Sequence, residues 1–455
     1  MIYRSEDLDT LNKNIDQIAI DAEKLYNNNY AIPTVKQYKD VQSVILNYIK
    51  KNNKIIYGGF AHNLLIKNKN KNDGIYNDSD KYDVEFYSTT PIKDVIELTE
   101  ILYKEGFKNI QGKEAVHDET YTIKVEFETM CDITYMDEHI FNNCPTIVID
   151  KLNLVHPYFY YVDAFRIYSD LLTSNFRLNK QYTRTNKLFK YYPFDEKLKY
   201  NKIKINGKIL DDIKRYIRKN IIHNSDLIVV GIYCYNYMVK KYNNKEELEF
   251  PYYELISSNL NEDFKKILDI LKKKFKKDIS YSWYYHFFQF WDKNVEFYYK
   301  GNLVLKLYGN NEKCIVFNYS KKKKTNFGSF QLLNLFLLSN YNYSLINKKK
   351  DEMVYLSLLV KIYNIRNKYF EKKKLGILDN TVFKEFTYDC KGKVIDTMRE
   401  HLLRGQKRKE NKQRLIFSYT PPQNLITIPI KNFTNRSGLK IPIGEKNNNR
   451  QNRKK

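Results

Sequence analysis

A chain of 455 residues, 42% of them hydrophobic, is long enough for two or three domains with separate cores. Its formal net charge of +25 suits a polyanionic partner, though Lys, Asn, Ile and Tyr share A/T-rich codons and part of the basicity follows from that. No apolar run nears the ~18 residues of a membrane span, and with no signal peptide and no Cys-x-x-Cys pair the five dispersed cysteines read as reduced thiols of a soluble intracellular protein.

Residues 5–50 read as helices broken at Pro33, packing on the domain that follows without chemistry of their own. The apolar run Ile55, Ile56, Tyr57 then ends in Gly58-Gly59, and a helix-compatible segment with Ala61, Leu64 and Leu65 follows. Glycine lets a backbone approach an anion without a Cβ clash. A helix start offers unpaired N–H groups and a positive dipole end. Strand, glycines and helix start together read as a phosphate cradle. Asp83 and Glu85 alternate with Val84 and Phe86, so both carboxylates project to one face of a strand. Two carboxylates beside substrate phosphates suit Mg²⁺, a cation that prefers oxygen ligands.

The order Gly-Gly, helix, loop, Asp-x-Glu strand resembles the DNA polymerase β-like nucleotidyltransferase superfamily. Next, Thr90 and Pro91 start a helix with the apolar stripe Val95, Leu98, Ile101 and Leu102, which Gly106 ends. The stretch YTIKVEFETMCDITYMD reads as two strands with a hairpin around Glu128–Met130. The superfamily takes a third carboxylate from a neighbouring strand. The resemblance assigns it to Asp132, with Glu126 as runner-up. Beyond Pro157 helical sequence leads into a basic stretch, Arg177, Lys180, Arg184, Lys187 and Lys190, interleaved with Phe176, Tyr182 and Phe189. Arg177, Lys180 and Arg184 are the candidates to hold a triphosphate or an incoming strand; a solvated helix face is the alternative reading.

The second half repeats the first in fainter form. IVVGIYCYNYM from Ile228 matches IIYGGFAHNLL from Ile55, with Gly231 for Gly58 and Asn236 for Asn63. Tyr252 and Glu254 stand where Asp83 and Glu85 do, and the helix-like NLNEDFKKILDILKKKF repeats the apolar phase of TPIKDVIELTEILYKEGF. VEF at Val295 matches VEF at Val125, which puts Asn302 at the place of Asp132, and Gly328–Asn340 follows Asp163–Asn175. Ordered matches of this kind argue for duplication of a whole fold. The copy lacks the glycine pair and the acidic set, so it is expected to be structural or RNA-binding. From Arg404 onward 14 Lys or Arg face 2 Glu, which reads as a disordered basic tail.

IIYGGFAHNLLI, SDKYDVEFYS, MCDITYM and YFYYVDAFRIYSDLLTSNFRLNKQYTR resemble the poly(A) polymerase catalytic subunits of large DNA viruses over most of residues 45–345. The resemblance implies an α+β chain of two tandem nucleotidyltransferase-like domains, the second degenerate, with peripheral helices. The expected divisions are 1–48 for N-terminal helices, 49–200 for the catalytic domain, 201–403 for the degenerate copy and 404–455 for the tail. It further implies template-independent transfer of AMP from ATP to mRNA 3′ ends, with pyrophosphate released. Two Mg²⁺ or Mn²⁺ ions would lie on Asp83, Glu85 and Asp132, and Gly58 and Gly59 would cradle the pyrophosphate. Its implied partners are RNA and either a second copy of the chain or a viral processivity subunit, in the host cytoplasm and the virion. Nothing in the sequence reads the base, so CCA-adding, uridylating or oligoadenylate-type transfer stands as the alternative, as does a non-catalytic RNA-binding scaffold.

Overall fold

The computed structural model describes residues 2–77, 80–195, 198, 209–310, 313–349, 352–410, 417–422 and 436–442. They cluster into two compact units, one drawn from Met1–Met136, Thr146–Val155 and Arg408–Lys431, the other from Asp137–Pro145, His156–Lys407 and Asn432–Lys455. The chain begins with α1 (Ser5–Asn29), α2 (Val35–Lys51), β1 (Ile55–Tyr57), α3 (Gly58–Lys69), β2 (Val84–Ser88), α4 (Pro91–Lys104), β3 (Gln111–Glu114), β4 (Thr120–Val125) and β5 (Glu128–Tyr135). It continues through α5 (Glu138–Asn143), β6 (Thr146–Ile149), β7 (Leu152–Val155), α6 (Pro157–Tyr168), α7 (Leu171–Ser174), α8 (Leu178–Tyr191), α9 (Ile209–Ile217), β8 (Ile228–Val230), α10 (Gly231–Val239), β9 (Tyr253–Ser257) and α11 (Leu260–Phe275). Last come β10 (Ile279–Tyr284), β11 (Asn294–Tyr299), β12 (Asn302–Gly309), β13 (Ile315–Ser320), β14 (Thr325–Gly328), α12 (Phe330–Ile346), α13 (Glu352–Lys373), β15 (Cys390–Lys391), α14 (Thr397–Glu410) and β16 (Ser418–Tyr419). No helix of the described residues is long and apolar enough to cross a membrane.

The sheet of the first unit runs β16-β3-β4-β5-β2-β1-β7-β6, and that of the second β10-β11-β12-β9-β8-β14-β13-β15. Without β16 and β15 the two orders coincide strand for strand. So do the senses: β1/β2 and β8/β9 are antiparallel, whereas β1/β7, β8/β14, β2/β5 and β9/β12 are parallel. The duplication expected from the sequence is therefore a duplication of topology. Local chemistry repeats with it. Asn63 Oδ1 accepts the backbone N–H groups of Ile75 and Tyr76, and Asn236 pins its own loop through both N–H and C=O of Leu248.

Two of the sequence matches shift once strands are paired. Glu85 lies opposite Asp132 across β2/β5, and the same rung across β9/β12 joins Glu254 to Lys306, so Lys306 and not Asn302 occupies the third acidic position. The error traces to the hairpin. Its turn is at Glu126 and Phe127, both at positive φ, two residues before the expected Glu128–Met130, and carries neither Gly nor Asn to announce it. In the copy the same turn is Lys300-Gly301. Likewise α6 and α12 each follow the strand that pairs with the first of their sheet, so Ser329 matches His156 as the helix cap and the resemblance of 328–340 to 163–175 is out of register.

Other expectations are corrected by packing. Of the N-terminal helices α2 is seated on the sheet through Val41, Ile45 and Ile49, while α1 has no buried residue. Cys314 and Cys390 form a disulfide, where reduced thiols were expected; Cys131, Cys144 and Cys234 are free. The antiparallel pairing of β13 with β15 brings the two together across 76 residues of sequence, a separation that gives no sign of it. The basic tail is ordered in three described stretches. α14 extends to Glu410, Arg408 pairs with Glu114 at 2.7 Å, and β16 joins the edge of the first sheet with Phe417 and Tyr419 buried. Residues 436–442 pack through backbone bonds such as Gly438 N–H to His286 O. The tail beyond Gly444 and the expected domain division at 200 lie outside the described residues.

Candidate active site

β1 is short because Gly58, with φ of +71°, turns the chain directly into α3. The register sets Tyr57 opposite Glu85, and Gly59 N–H donates to Glu85 Oε2 at 2.9 Å. A Cβ on Gly58 would lie 1.5 Å from that oxygen, so glycine is required for the carboxylate to reach the helix N-terminus. A carboxylate is favoured there by the free N–H groups and the dipole. Gly231 repeats the device: φ is +64°, and an added Cβ would lie 1.9 Å from Glu254 Oε2.

Val84 and Phe86 are fully buried on the inner face of β2, which leaves Asp83 and Glu85 on the opposite face, both half-buried. Asp83 immediately precedes the strand. Its position is set by α2, where Gln42 donates its side-chain amide to the Tyr82 carbonyl at 2.5 Å. Asp132, level with Glu85 on β5, accepts a 2.5 Å hydrogen bond at Oδ1 from Thr122 of β4. Burial pushes the Asp132 carboxyl up to about 6, the Thr122 bond works against that, and the negative charge of Asp83 adds to it. Next to them Tyr57 stacks on Tyr87 at 4.1 Å and bonds Thr134 at 2.6 Å, closing one side of the acidic patch.

The structure thus brings together five of the sequence-assigned residues: Gly58, Gly59, Asp83, Glu85 and Asp132. Glu126, the runner-up, sits in the hairpin turn bonded to Asn109, away from the Glu85–Asp132 rung. Arg177, Lys180 and Arg184 belong to the other compact unit, at the start of and along α8. Gln42 and Thr122 escaped the sequence reading. Thr122 becomes visible only after the hairpin register is known, and Gln42 carries no local signal.

Among the described residues no three His, Cys, Asp or Glu side chains form a ready-made metal group. Glu85 is turned to Gly59 and contributes to that. The donor set still fits a hard divalent cation. Its ligands are carboxylate oxygens, and an acid raised by burial and by a like charge beside it marks a place short of positive charge. The copy supplies that charge itself. Lys306 forms a 3.0 Å ion pair with Glu296, which stands at the place of Thr122, and lies over the Tyr252 ring at 5.0 Å, where the first unit has Asp83. The copy thus holds an ammonium where the first unit has Asp132.

Known proteins resemble the chain over most of its length. A family model for the poly(A) polymerase catalytic subunit matches residues 43–174, and one for the C-terminal part of the mimivirus subunit matches residues 186–446. A protein of Acanthamoeba polyphaga mimivirus that bears the name poly(A) polymerase catalytic subunit is 31% identical over 97% of this chain and 83% of its own length. The chain belongs to the poly(A) polymerase catalytic subunit family. A namesake from African swine fever virus is 32% identical over 114 residues, 25% of this chain and 24% of the relative. The crystal structure of the Megavirus polyadenylate synthase superposes with a TM-score of 0.88 at 29% identity, covering 98% of this chain and 93% of that one. The mixed α/β fold of this chain is the fold of that synthase.

Proposed function

We propose that this poly(A) polymerase family member adds AMP from ATP to RNA 3′ ends without a template and releases pyrophosphate. The observation that carries the reading is the Glu85–Asp132 rung, with Asp83 two residues away, built against the glycine turn that opens α3. Asp83, Glu85 and Asp132 would hold two Mg²⁺ or Mn²⁺ ions, which when bound supply charge neutralisation at the triphosphate and acidify the attacking hydroxyl. The chain's own residues do the rest by positioning. Thr122 donates to Asp132 Oδ1 and so fixes the orientation of this carboxylate beside Glu85. Gly58 leaves room for Glu85 at the start of α3, where that carboxylate takes the Gly59 N–H, and the phosphate oxygens are assigned to the remaining N–H groups and dipole of that turn. Arg177, Lys180 and Arg184 are assigned to nucleotide or strand phosphates by charge. The second copy, with Lys306 in its acidic position, serves as scaffold.

The test is primer extension on a short RNA with each of the four nucleoside triphosphates and Mg²⁺ or Mn²⁺, beside Asp83→Asn. Extension with ATP alone that Asp83→Asn abolishes supports the reading. Equal use of all four nucleotides makes the chain a terminal transferase of another specificity, and extension by the Asp83→Asn protein overturns the assignment of the site.

A further inference from the structure

A second concavity lies wholly within the unit that carries α8. Its volume is about 630 Å³, within the range of small-molecule sites, and its lining is mostly apolar. α6 contributes Phe165 and Tyr168 to it, and two further helices supply its amides. α8 offers Tyr182 and Phe189 with the amides of Asn179 and Asn186, and α13 offers Tyr363 with Asn364 and Asn367. Asparagine is a poor helix former, so four amides on the cavity-facing stripes of two helices do not serve helix stability. Glu385 lies in the lining too, fixed by Arg366 at 2.8 Å. Arg366 in turn lies over the ring of Tyr363 at 4.6 Å.

Flat aromatic rings next to amide donors and acceptors are what a nucleobase needs. Rings of Tyr or Phe stack on any base, and an Asn amide pairs in two places with the N6 and N7 edge of adenine. Glu385 adds an acceptor for an exocyclic amino group, which adenine and guanine carry. Among the described residues the lining holds no Lys or Arg, because Arg177, Lys180, Arg184 and Lys187 lie on the face of α8 opposite Tyr182 and Asn186, so the cavity recognises a base and not its phosphates.

We propose that this cavity binds a purine base, delivered by single-stranded RNA or by a free mononucleotide. The site is assigned independently of the transfer chemistry and is tested without it.

The experiment uses the full chain in EDTA and a short oligoadenylate containing 2-aminopurine, whose fluorescence falls on stacking, with AMP as competitor. Wild-type protein quenches the probe. Tyr182→Ala weakens binding by about 5- to 150-fold, as loss of one stacked base does, while Tyr182→Phe restores it. Tyr182 is 57% exposed, so its truncation leaves the fold intact, and a melting curve verifies this. Asn186→Ala lowers the preference for oligoadenylate over oligouridylate. Full displacement by AMP at similar concentration identifies the mononucleotide as source, and displacement only by RNA identifies the strand. No quenching by the wild type, or unchanged affinity in Tyr182→Ala, overturns the proposal. Because no metal is present, neither outcome depends on whether the acidic patch is catalytic.

Discussion

Gly58→Ala isolates what the glycine turn does. At φ of +71° an L-residue costs about 1–2 kcal/mol in backbone strain. The new methyl would also stand 1.5 Å from Glu85 Oε2 and 2.3 Å from its Cδ, so the carboxylate must leave. It then loses the Gly59 N–H, a hydrogen bond to a charged group worth about 1.5–3 kcal/mol. Together these terms predict a stability loss of roughly 2.5–5 kcal/mol in urea denaturation. A displacement of about 1 Å at a reacting group costs on the order of 100-fold in rate, so ATP incorporation per folded molecule should fall at least that far. Gly231→Ala is the matched control. It has the same backbone strain and a Cβ 1.9 Å from Glu254 Oε2, and it should lose comparable stability while keeping the wild-type rate per folded molecule. Equal rate losses in the two variants, or a fully active Gly58→Ala protein, would refute the idea that this turn acts on Glu85 and through it on the reaction.

Asp132→Asn separates chemistry from stability. The carboxyl is held near 6 against 3.8 unfolded, so its contribution is favourable below 3.8 and is lost as pH rises through 6. Without metal at pH 7 the variant should therefore be more stable than wild type by about 1–3 kcal/mol, while its extension rate with metal falls about 10²- to 10³-fold, as loss of one charge-stabilising group does; a variant that is both less stable and fully active contradicts both assignments. Lys306→Met leaves Glu296 buried without its ammonium and should cost about 3–5 kcal/mol, most of it recovered in the double variant with Glu296→Gln. Denaturation of the three variants measures this, and additive losses would show the pair to be uncoupled. Burial lowers the His156 pKa, and its Nδ1 accepts Tyr158 N–H at the start of α6. Stability should therefore drop as pH falls below the ordinary value of 6.5, and His156→Asn, which keeps the cap, should flatten that pH dependence. An unchanged slope in His156→Asn would assign the acid loss to other groups.

Residues 55–86 were legible in the sequence because every signal there is local. A glycine pair, a helical apolar phase and a two-residue alternation act over a few positions, and they fix the turn, α3 and the shared face of Asp83 and Glu85. The duplication was legible for the same reason at Gly231, Asn236 and Glu254, where the same local contacts recur. Pairing across strands was not. The turn at Glu126 and Phe127 has no glycine to mark it, so VEF at Val125, which runs into that turn, was matched to VEF at Val295 inside β11, and the four-residue slip placed the third position of the copy at Asn302 instead of Lys306. Side-chain partners drawn from distant segments, such as Thr122 on Asp132, Gln42 on Tyr82 O, and Cys314 on Cys390, leave no periodicity behind. The sequence alone determined which groups could hold a cation and a phosphate, since residue type and short spacing decide that. Only the tertiary structure decided which of them meet and which acid is raised, because register and burial are set by contacts many residues apart.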